Sequence, residues 1–357
     1  MLAHQGEQQF AVPVKAKTKV VVSDRTRISY ELSGVELGSG KYGKVQKAMN
    51  KLTGMAVAMK INDPIRVPAD VREWEVKVLL RLRASGGNRS VVTMLDVVHS
   101  SDLNSHRIVM PLLGMTLSRL LTRDINIARV DVHPMEAKLE ITRQLFDGLK
   151  YIHWIKIAHN DITMQNIMLD FEHGSVRFID FGSSSDTSSE TNMKTNVTQT
   201  LMDVYDLTRK IIIPFWTVTY FGATEDRAIK ALSSRVEHHE HLEKAKSLLF
   251  MVQSVEMKAL LNENLNFYDD LSAGEKAAIA ELARLNFSLT NVTKRSVDFP
   301  ADLHNILQEG LLLAPAANIS SRRISAKLEE LISNEDAIAG QRFIRDLAGT
   351  EEAYMGE

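Results

Sequence analysis

The chain contains four short motifs whose residue types suit the handling of phosphate groups and metal ions. The first, GSGKYGKV over residues 38–45, places three glycines, Gly38, Gly40 and Gly43, between two apolar segments. Backbone without side chains can approach a phosphate closely and offer it N–H donors. A strand pattern follows these glycines, whereas a helix follows the glycines of a dinucleotide-binding fingerprint. The motif therefore predicts a glycine-rich hairpin that covers phosphates.

The second motif is a lysine that closes an apolar strand pattern, AVAMK over residues 56–60. Lys60 would be costly to bury at this point unless an anionic group met its amine. The alternative interpretation is a surface lysine whose aliphatic stem packs on the sheet while its amine reaches water.

The third and fourth motifs supply oxygen ligands. In HNDITMQN, residues 159–166, Asp161 and Asn166 stand five positions apart in an irregular loop, where both can point at one metal–phosphate group. Asp180 begins the DFG triplet directly after the apolar segment 176–179. A carboxylate at the end of a strand is a natural ligand of Mg²⁺.

The elements around these motifs are predicted to be a small sheet followed by a helical region. Strand patterns cover residues 30–37, 45–49, 56–61, 91–98 and 108–113, and a helix with one apolar face runs from Pro68 to about Arg83. A second amphipathic helix begins at Pro134 and continues through Ile152. Short strands are expected at 167–169 and 176–179, a Ser/Thr-rich loop at 183–198, and further helices at 225–262 and 273–285.

The order G-x-G-x-x-G, V-A-x-K, H-x-D-x-x-x-x-N and D-F-G resembles that of the eukaryotic-type protein kinases over residues 28–334. The run MPLLGMTL at 110–117 is most similar to the hinge of the casein kinase 1 family, and Asp203 resembles the start of the buried central helix of the large lobe. The resemblance implies an α+β bilobal kinase-like fold. We expect an N-terminal arm (1–27), an N-lobe of small antiparallel sheet and one long helix (28–112), a mostly helical C-lobe (113–334) and an acidic C-terminal tail (335–357).

The resemblance also implies ATP and Mg²⁺ as cofactors and a role for each motif residue. Asp161 would accept the proton of the attacking hydroxyl, while Asn166 and Asp180 would hold Mg²⁺. Lys60 would hold the α- and β-phosphates and pair with a helix glutamate. Glu75 is preferred to Glu73 for that pairing because Glu75 shares a helix face with leucines four and seven positions later.

An adenine site follows from the same resemblance. Val45 and Ala58 would form its roof, Met168 its floor, and Met110 would be the gatekeeper. Adenine would bond the carbonyl of Pro111 and the backbone of Leu113. Proline has no N–H, but only the carbonyl is needed at that place, so the substitution is compatible with ATP binding.

Three departures from the kinase pattern bear on activity. Asn160 stands where many kinases have an arginine that pairs with an activation-loop phosphate, so this chain is of the non-RD type. Thr163 stands where Ser/Thr kinases have a lysine that contacts the transferred phosphate, and Lys194 is a candidate replacement cation. No A-P-E motif occurs, and Arg323, in an R-I-S-A element, therefore needs another partner than that glutamate.

Three functions fit this pattern. The first is transfer of phosphate from ATP to Ser or Thr hydroxyls of a protein substrate. The second is a pseudokinase, a nucleotide-binding scaffold that regulates a partner, and the departures at Asn160 and Thr163 motivate it. The third is a small-molecule kinase of the aminoglycoside or choline kinase type, which also lacks A-P-E.

Composition excludes other classes of function. The net charge of −2 argues against a globally basic nucleic-acid binder, and the absence of cysteine excludes disulfides and thiolate metal sites. The longest apolar stretch, 210–222, is shorter than the ~20 residues of a membrane span, and no secretory signal is expected, so the cytoplasm is the default location. Charge is uneven, since residues 328–357 contain eight acids and two arginines. The oligomeric state stays open.

Overall fold

The computed structural model describes most of the chain up to residue 216 and a C-terminal stretch. The described residues are 19–40, 43–100, 105–126, 134–189, 193–212, 215–216, 300, 302–303, 305–307 and 320–351. They divide into two compact units, of which the first comprises residues up to 69 and 95–112, and the second comprises 70–94 and the residues from 113 onward. The helices predicted at 225–262 and 273–285, and residues 1–18 of the predicted arm, lie outside the described residues.

The first unit is a six-stranded antiparallel sheet. Its strands are β1 (Lys19–Val22), β2 (Ser29–Gly40), β3 (Gly43–Asn50), β4 (Ala56–Asn62), β5 (Asp96–Ser100) and β6 (Ser105–Pro111), in the spatial order β1-β2-β3-β4-β6-β5. Alternate residues of these strands point to opposite faces. One face packs into an apolar core made of Tyr30, Leu32, Ala48, Val57, Met59, Val98 and Val109.

The sheet begins earlier than the sequence predicted, because β1 belongs to it. The turn after β1 is fixed by Asp96, whose buried carboxylate accepts hydrogen bonds from Ser23 Oγ (3.0 Å), Thr26 Oγ1 (2.5 Å) and Tyr30 Oη (3.0 Å). A buried carboxylate is stable only with such donors. Burial, together with the hydrogen bond to Asp96 and its charge, raises the pKa of Tyr30 above its ordinary value. Residues 19–27 are therefore part of the sheet unit and not of a free arm.

The second unit is mostly helical. Its helices are α1 (Ala69–Ala84), α2 (Leu117–Asn126), α3 (Met135–Trp154), α4 (Met193–Asp206), α5 (Ser321–Leu331), α6 (Asn334–Asp346) and α7 (Ala348–Glu351). Two short antiparallel pairs join them, β8 (Ile167–Asp170) with β9 (Ser175–Phe178) and β7 (Ile157–Ala158) with β10 (Ser185–Asp186). The predicted α+β class, an antiparallel sheet followed by helices, is confirmed. None of the described helices is long and apolar enough to span a membrane.

Helix α3 is the scaffold of the second unit. Its predicted apolar stripe is fully buried at Ile141, Leu145, Leu149 and Ile152, and both α5 and α6 pack against it. The first helix also belongs here, although the sequence assigned it to the N-lobe. Its last turn accepts a hydrogen bond at Leu82 O from Tyr151 Oη of α3 (2.6 Å), which ties α1 to the helical unit.

Residues 334–346, expected to be part of an acidic tail, form a packed helix. Ser333 and Asp336 make a capping box at its N-terminus, where acidic side chains are favourable because the helix dipole is positive there. Gly340 permits a close approach to α3, since a Cβ at this position would lie 2.5 Å from Glu140 Cβ. The acids of this stretch thus begin a helix, and a tail fully surrounded by solvent does not describe it.

Candidate active site

The glycine motif lies in the hairpin formed by the ends of β2 and β3, where Gly40 pairs with Gly43. Gly43 has a φ of 141°, and a Cβ there would lie 2.2 Å from Ile61 O of the neighbouring strand. Only glycine allows β4 to come this close. Gly38 and Gly40 have open space where a Cβ would be, which leaves their backbone accessible.

Four predicted site residues share one face of the sheet. In the register of β3, β4 and β6, Val45 lies opposite Lys60, and Ala58 lies opposite Met110. Directly opposite residues of antiparallel strands point to the same face, and Ala58 and Lys60 are two positions apart on β4. Lys60 is buried, with 7% of its surface exposed. The proposed roof, gatekeeper and phosphate-binding lysine are therefore grouped on the face opposite to the apolar core.

The remaining predicted adenine-site residues lie at the ends of elements. Pro111 is the last residue of β6 and lies opposite Val57, and Leu113 is the first residue of the following stretch of the second unit. Met168 lies on β8, where it bridges to Thr116. Their contribution to adenine binding stays a prediction.

The two candidate glutamates of α1 differ in their surroundings. Glu75 is buried, with 4% exposed, whereas Glu73 is exposed and its carboxylate lies 3.9 Å from Lys77 Nζ. A solvated ion pair one helical turn apart contributes little. The burial pattern favours Glu75, as the spacing predicted, and its pairing with Lys60 stays a prediction.

Asp161 and Asn166 are brought together by the loop between β7 and β8. Asn166 Nδ2 donates to Asp161 Oδ2 (2.8 Å) and to Asp161 O (3.0 Å). Thr163 closes the intervening turn, because its carbonyl accepts from Asn166 N (3.0 Å). Both bonds of the Asn166 side chain use its nitrogen, so its amide oxygen makes no hydrogen bond with the described residues and is available to a cation. The side chain of Lys194, the candidate replacement cation, lies outside the described residues.

The backbone before Asp161 is held by the buried carboxylate of Asp203 on α4. Asp203 accepts from His159 N (2.7 Å) and Asn160 N (2.8 Å), and His153 Nε2 donates to it as well (3.1 Å). His153 lies in the last turn of α3, and its other ring nitrogen bonds Ser321 Oγ of α5 (2.9 Å). Three helices thus fix the loop that carries Asp161.

His159 has a structural role in this loop. Its Nε2 donates to Ile179 O (3.1 Å), and its Nδ1 accepts from Asp161 N at a long 3.4 Å. The fully buried ring packs against Phe181, with ring centroids 4.8 Å apart. Since both ring nitrogens are engaged with the backbone, His159 positions Asp161 next to the DFG triplet and is not a base.

Asp180 follows β9 in a strained conformation. It has a φ of 61°, and its Oδ1 accepts from Gly182 N (3.2 Å). Left-handed backbone at a residue other than glycine is costly and is concentrated at functional sites. Asn166 O accepts from Ile179 N (2.9 Å), which links the Asp180 strand end to the Asp161 loop. Asp161, Asn166 and Asp180 therefore belong to one hydrogen-bonded region of the second unit, and their oxygen atoms suit Mg²⁺.

The segment after the DFG triplet is anchored by Asn160, which the sequence analysis treated only as a missing arginine. Asn160 also has a φ of 61°, and its Nδ2 donates to Ser183 O (3.1 Å) and Ser185 Oγ (2.9 Å). Ser185 in turn donates to Gln199 Oε1 on α4 (2.9 Å). Neutral hydrogen bonds therefore connect the loop, the segment and α4.

Helix α1 holds the same segment from another direction. Trp74 Nε1 donates to Ser184 O (2.7 Å), and Arg81 Nη1 lies 3.0 Å from Asp186 Oδ2. Partial burial acts to raise the pKa of Asp186, but hydrogen bonds from Ser188, with the charge and hydrogen bond of Arg81, lower it overall. The sequence predicted a Ser/Thr-rich loop at 183–198, whereas this stretch contains β10 and the start of α4.

Comparison with known proteins agrees with this geometry. Residues 32–202 match the family model of the protein kinase domain. The chain is 31% identical over 173 residues to the CTD kinase subunit alpha of Schizosaccharomyces pombe, which covers 46% of this chain and 27% of that protein. It is 30% identical over 156 residues to the serine/threonine-protein kinase 10 of Danio rerio (44% and 15%), and 28% identical over 166 residues to a hormonally up-regulated neu tumor-associated kinase homolog of Xenopus tropicalis (44% and 22%). The chain therefore spans about a quarter or less of the length of these relatives.

Proposed function

Since the chain belongs to the eukaryotic-type protein kinase superfamily through residues 32–202, we propose that it transfers the γ-phosphoryl group of ATP to Ser or Thr hydroxyls of a protein substrate in the presence of Mg²⁺. The observation that carries this proposal is the bonded pair of Asp161 and Asn166, with an amide oxygen left for a cation. Phosphoryl transfer depends mainly on positioning and charge neutralisation, and the described loop supplies both.

In this proposal each residue of the second unit has one task. Asp161 accepts the proton of the attacking hydroxyl, and the Asn166 amide holds the Asp161 carboxylate in place through the 2.8 Å bond. Asn166 and Asp180 hold the Mg²⁺, which, when bound, neutralises the charge that develops on the phosphates. Asp203 and His159 position the loop and do not touch the substrate.

The residues of the first unit have the tasks that the motif order implies. The accessible backbone of Gly38 and Gly40 covers the phosphates, and Lys60 binds the α- and β-phosphates. A buried lysine on a strand needs an anionic partner, and Glu75 is the proposed one. Val45, Ala58 and Met110 bind the adenine with Pro111, Leu113 and Met168.

A pseudokinase is the second candidate function, because Thr163 replaces a cation that contacts the transferred phosphate. The loss of one such contact reduces the rate by roughly 10²-fold or more. The position is half-buried and its backbone closes the turn to Asn166. Nucleotide binding without transfer is the outcome that this alternative predicts.

The test is phosphate transfer from labelled ATP with Mg²⁺ to generic protein substrates, measured on the full chain. Asp161→Ala and Asp180→Ala are expected to lower transfer by about 10²-fold or more, while Asp346→Ala, at an exposed position of α6, leaves it unchanged. Thr163→Lys is expected to raise it. If the wild-type chain binds nucleotide but transfers no more phosphate than the Asp161 variant, the active-kinase proposal is wrong.

A further inference from the structure

Four arginines from four different elements surround the turn between β8 and β9. They are Arg89, from the stretch after α1, Arg143 of α3, Arg177 of β9 and Arg345 of α6. The turn itself, at His173 and Gly174, lies outside the region that the proposed catalysis uses. Such a concentration of guanidinium groups within one unit needs either acidic partners or an anion.

Two of these arginines are neutralised within the protein. Arg143 forms a two-pronged hydrogen bond with the buried carboxylate of Glu140, with Nε 2.7 Å from Oε2 and Nη2 2.8 Å from Oε1. Arg177 Nη2 lies 2.5 Å from Asp170 Oδ2. Glu140 also accepts from Gln144 and Gln341, so its oxygens are fully used.

The other two arginines make no ion pair with the described residues. Arg89 Nη2 donates to His173 O at 3.3 Å, and Arg345 Nη2 donates to the same oxygen at 3.4 Å. Both side chains belong to exposed residues. Glu172, the nearest acid in sequence, is exposed and makes no ion pair with the described residues either. Two long bonds to one carbonyl leave most of the donors of both guanidinium groups unused.

The geometry forces these two positive charges together. Because both nitrogens bond one oxygen, their separation is smaller than the sum of the two bond lengths. Gly174 fixes Arg345 at this place, since a Cβ there would lie 3.2 Å from Arg345 Nε and 2.4 Å from Gln341 O. Burial lowers the pKa of Arg89, and the nearby charges of Arg143, Arg345 and Arg177 lower it further, while Glu140 opposes them. Like charges at this separation repel each other unless an anion lies between them.

We propose that Arg89 and Arg345 bind the phosphate group of a phosphorylated protein segment at the β8–β9 turn. The charges match, because the four arginines and the two acids Glu140 and Asp170 leave two positive charges, and a phosphoserine carries close to two negative ones. Planar guanidinium groups also suit the paired oxygens of a phosphate. The site does not depend on catalysis, since none of its residues belongs to the proposed active site.

A phosphorylated protein segment fits better than a membrane surface. Binding to anionic lipid typically uses clusters of about four to eight basic side chains, and only two are uncompensated here. Of the large apolar residues that are exposed in the described part of the second unit, none lies in the β8–β9 turn. One doubly charged group, held at one point, is therefore the ligand that this geometry suits.

The test measures the binding of a fluorescent peptide pool to the full chain without ATP. Each peptide contains one fixed phosphoserine among random residues, and a matched pool contains serine instead. We expect the phosphorylated pool to bind about ten-fold more tightly, and removal of each guanidinium in Arg89→Ala and Arg345→Ala to cost about ten-fold. Arg322→Ala, at an exposed position of α5, is the matched control and should bind like the wild type. Inorganic phosphate should compete.

Further arms make the result decisive. The double variant Arg89→Lys/Arg345→Lys keeps the charge and should retain part of the preference, and thermal unfolding of each variant shows whether it is folded. Arg345→Ala alone, at an exposed helix position, decides the case if Arg89→Ala does not fold. Equal binding of the two pools, or an unchanged preference in the alanine variants, would overturn the proposal. Tighter binding to phosphatidylcholine vesicles with phosphoinositide than to the pool would overturn it in favour of a lipid site.

Discussion

Replacement of Asn160 separates two contributions to the anchoring of the segment after the DFG triplet. Its side chain donates to Ser183 O and Ser185 Oγ, and its backbone has a φ of 61°. Asn160→Gly removes the two hydrogen bonds and tolerates the left-handed backbone. Asn160→Ala removes the same bonds but places a Cβ in a conformation that asparagine and glycine adopt more readily than alanine.

The magnitudes follow from these two terms. Each hydrogen bond is partly exposed and contributes ~0.5–1 kcal/mol, so both variants should lose about 1–2 kcal/mol of unfolding free energy. At an ordinary helical or strand position glycine is less stable than alanine by ~0.5–1 kcal/mol. Left-handed backbone costs alanine ~1–2 kcal/mol, which reverses that order. We therefore expect Asn160→Gly to be at least as stable as Asn160→Ala.

The assay is urea unfolding of the phosphatase-treated full chain. Gln165→Ala is the control, because Gln165 is exposed in the same loop and makes only a 3.5 Å hydrogen bond. Its unfolding free energy should stay close to that of the wild type. If both Asn160 variants are as stable as the wild type, the side-chain bonds do not anchor the segment. If the alanine variant is clearly the more stable of the two, the left-handed backbone is wrong.

Two further predictions concern the second unit. Gly340→Ala should lower the unfolding free energy by about 1–3 kcal/mol, because the new Cβ would lie 2.5 Å from Glu140 Cβ and 2.8 Å from Glu136 O; Gly349→Ala, with nothing within 4 Å, should not, and equal effects in chemical unfolding would contradict the packing of α6 on α3. Asp186→Asn should be less stable than wild type near pH 7, and the difference should vanish as the pH falls below about 4, because the lowered pKa of Asp186 stabilises the fold only while the carboxylate is charged. A pH-independent difference in thermal unfolding would contradict that assignment.

The grouping of the candidate site within each unit was predictable from sequence, because it depends on short-range spacing. The alternation of a strand places Ala58 and Lys60 on one face, and the five-residue spacing of Asp161 and Asn166 fits within one turn. The choice of Glu75 over Glu73 also follows from helical periodicity, which decides which side is buried.

The features that were not predicted depend on contacts between distant segments. The arginines at the β8–β9 turn are separated by as many as 256 positions, and no spacing rule connects Arg89 with Arg345. The helix at 334–346 had a readable signal in its capping pair, Ser333 and Asp336, but net charge was used for this stretch instead. Asn160 was judged by the charge it lacks, although asparagine offers a donor and tolerates left-handed backbone.

The support of the catalytic loop extends beyond the residues that match the kinase family model. That match ends at residue 202, and the carboxylate that fixes His159 and Asn160 belongs to the next residue, Asp203. His153 connects this carboxylate to Ser321 on α5, more than a hundred positions later. Because α5 and α6 both pack on α3, the helix that carries His153, substitutions in the C-terminal helices reach the catalytic loop through α3. The end of the family match therefore does not mark the end of the structure on which the proposed chemistry depends.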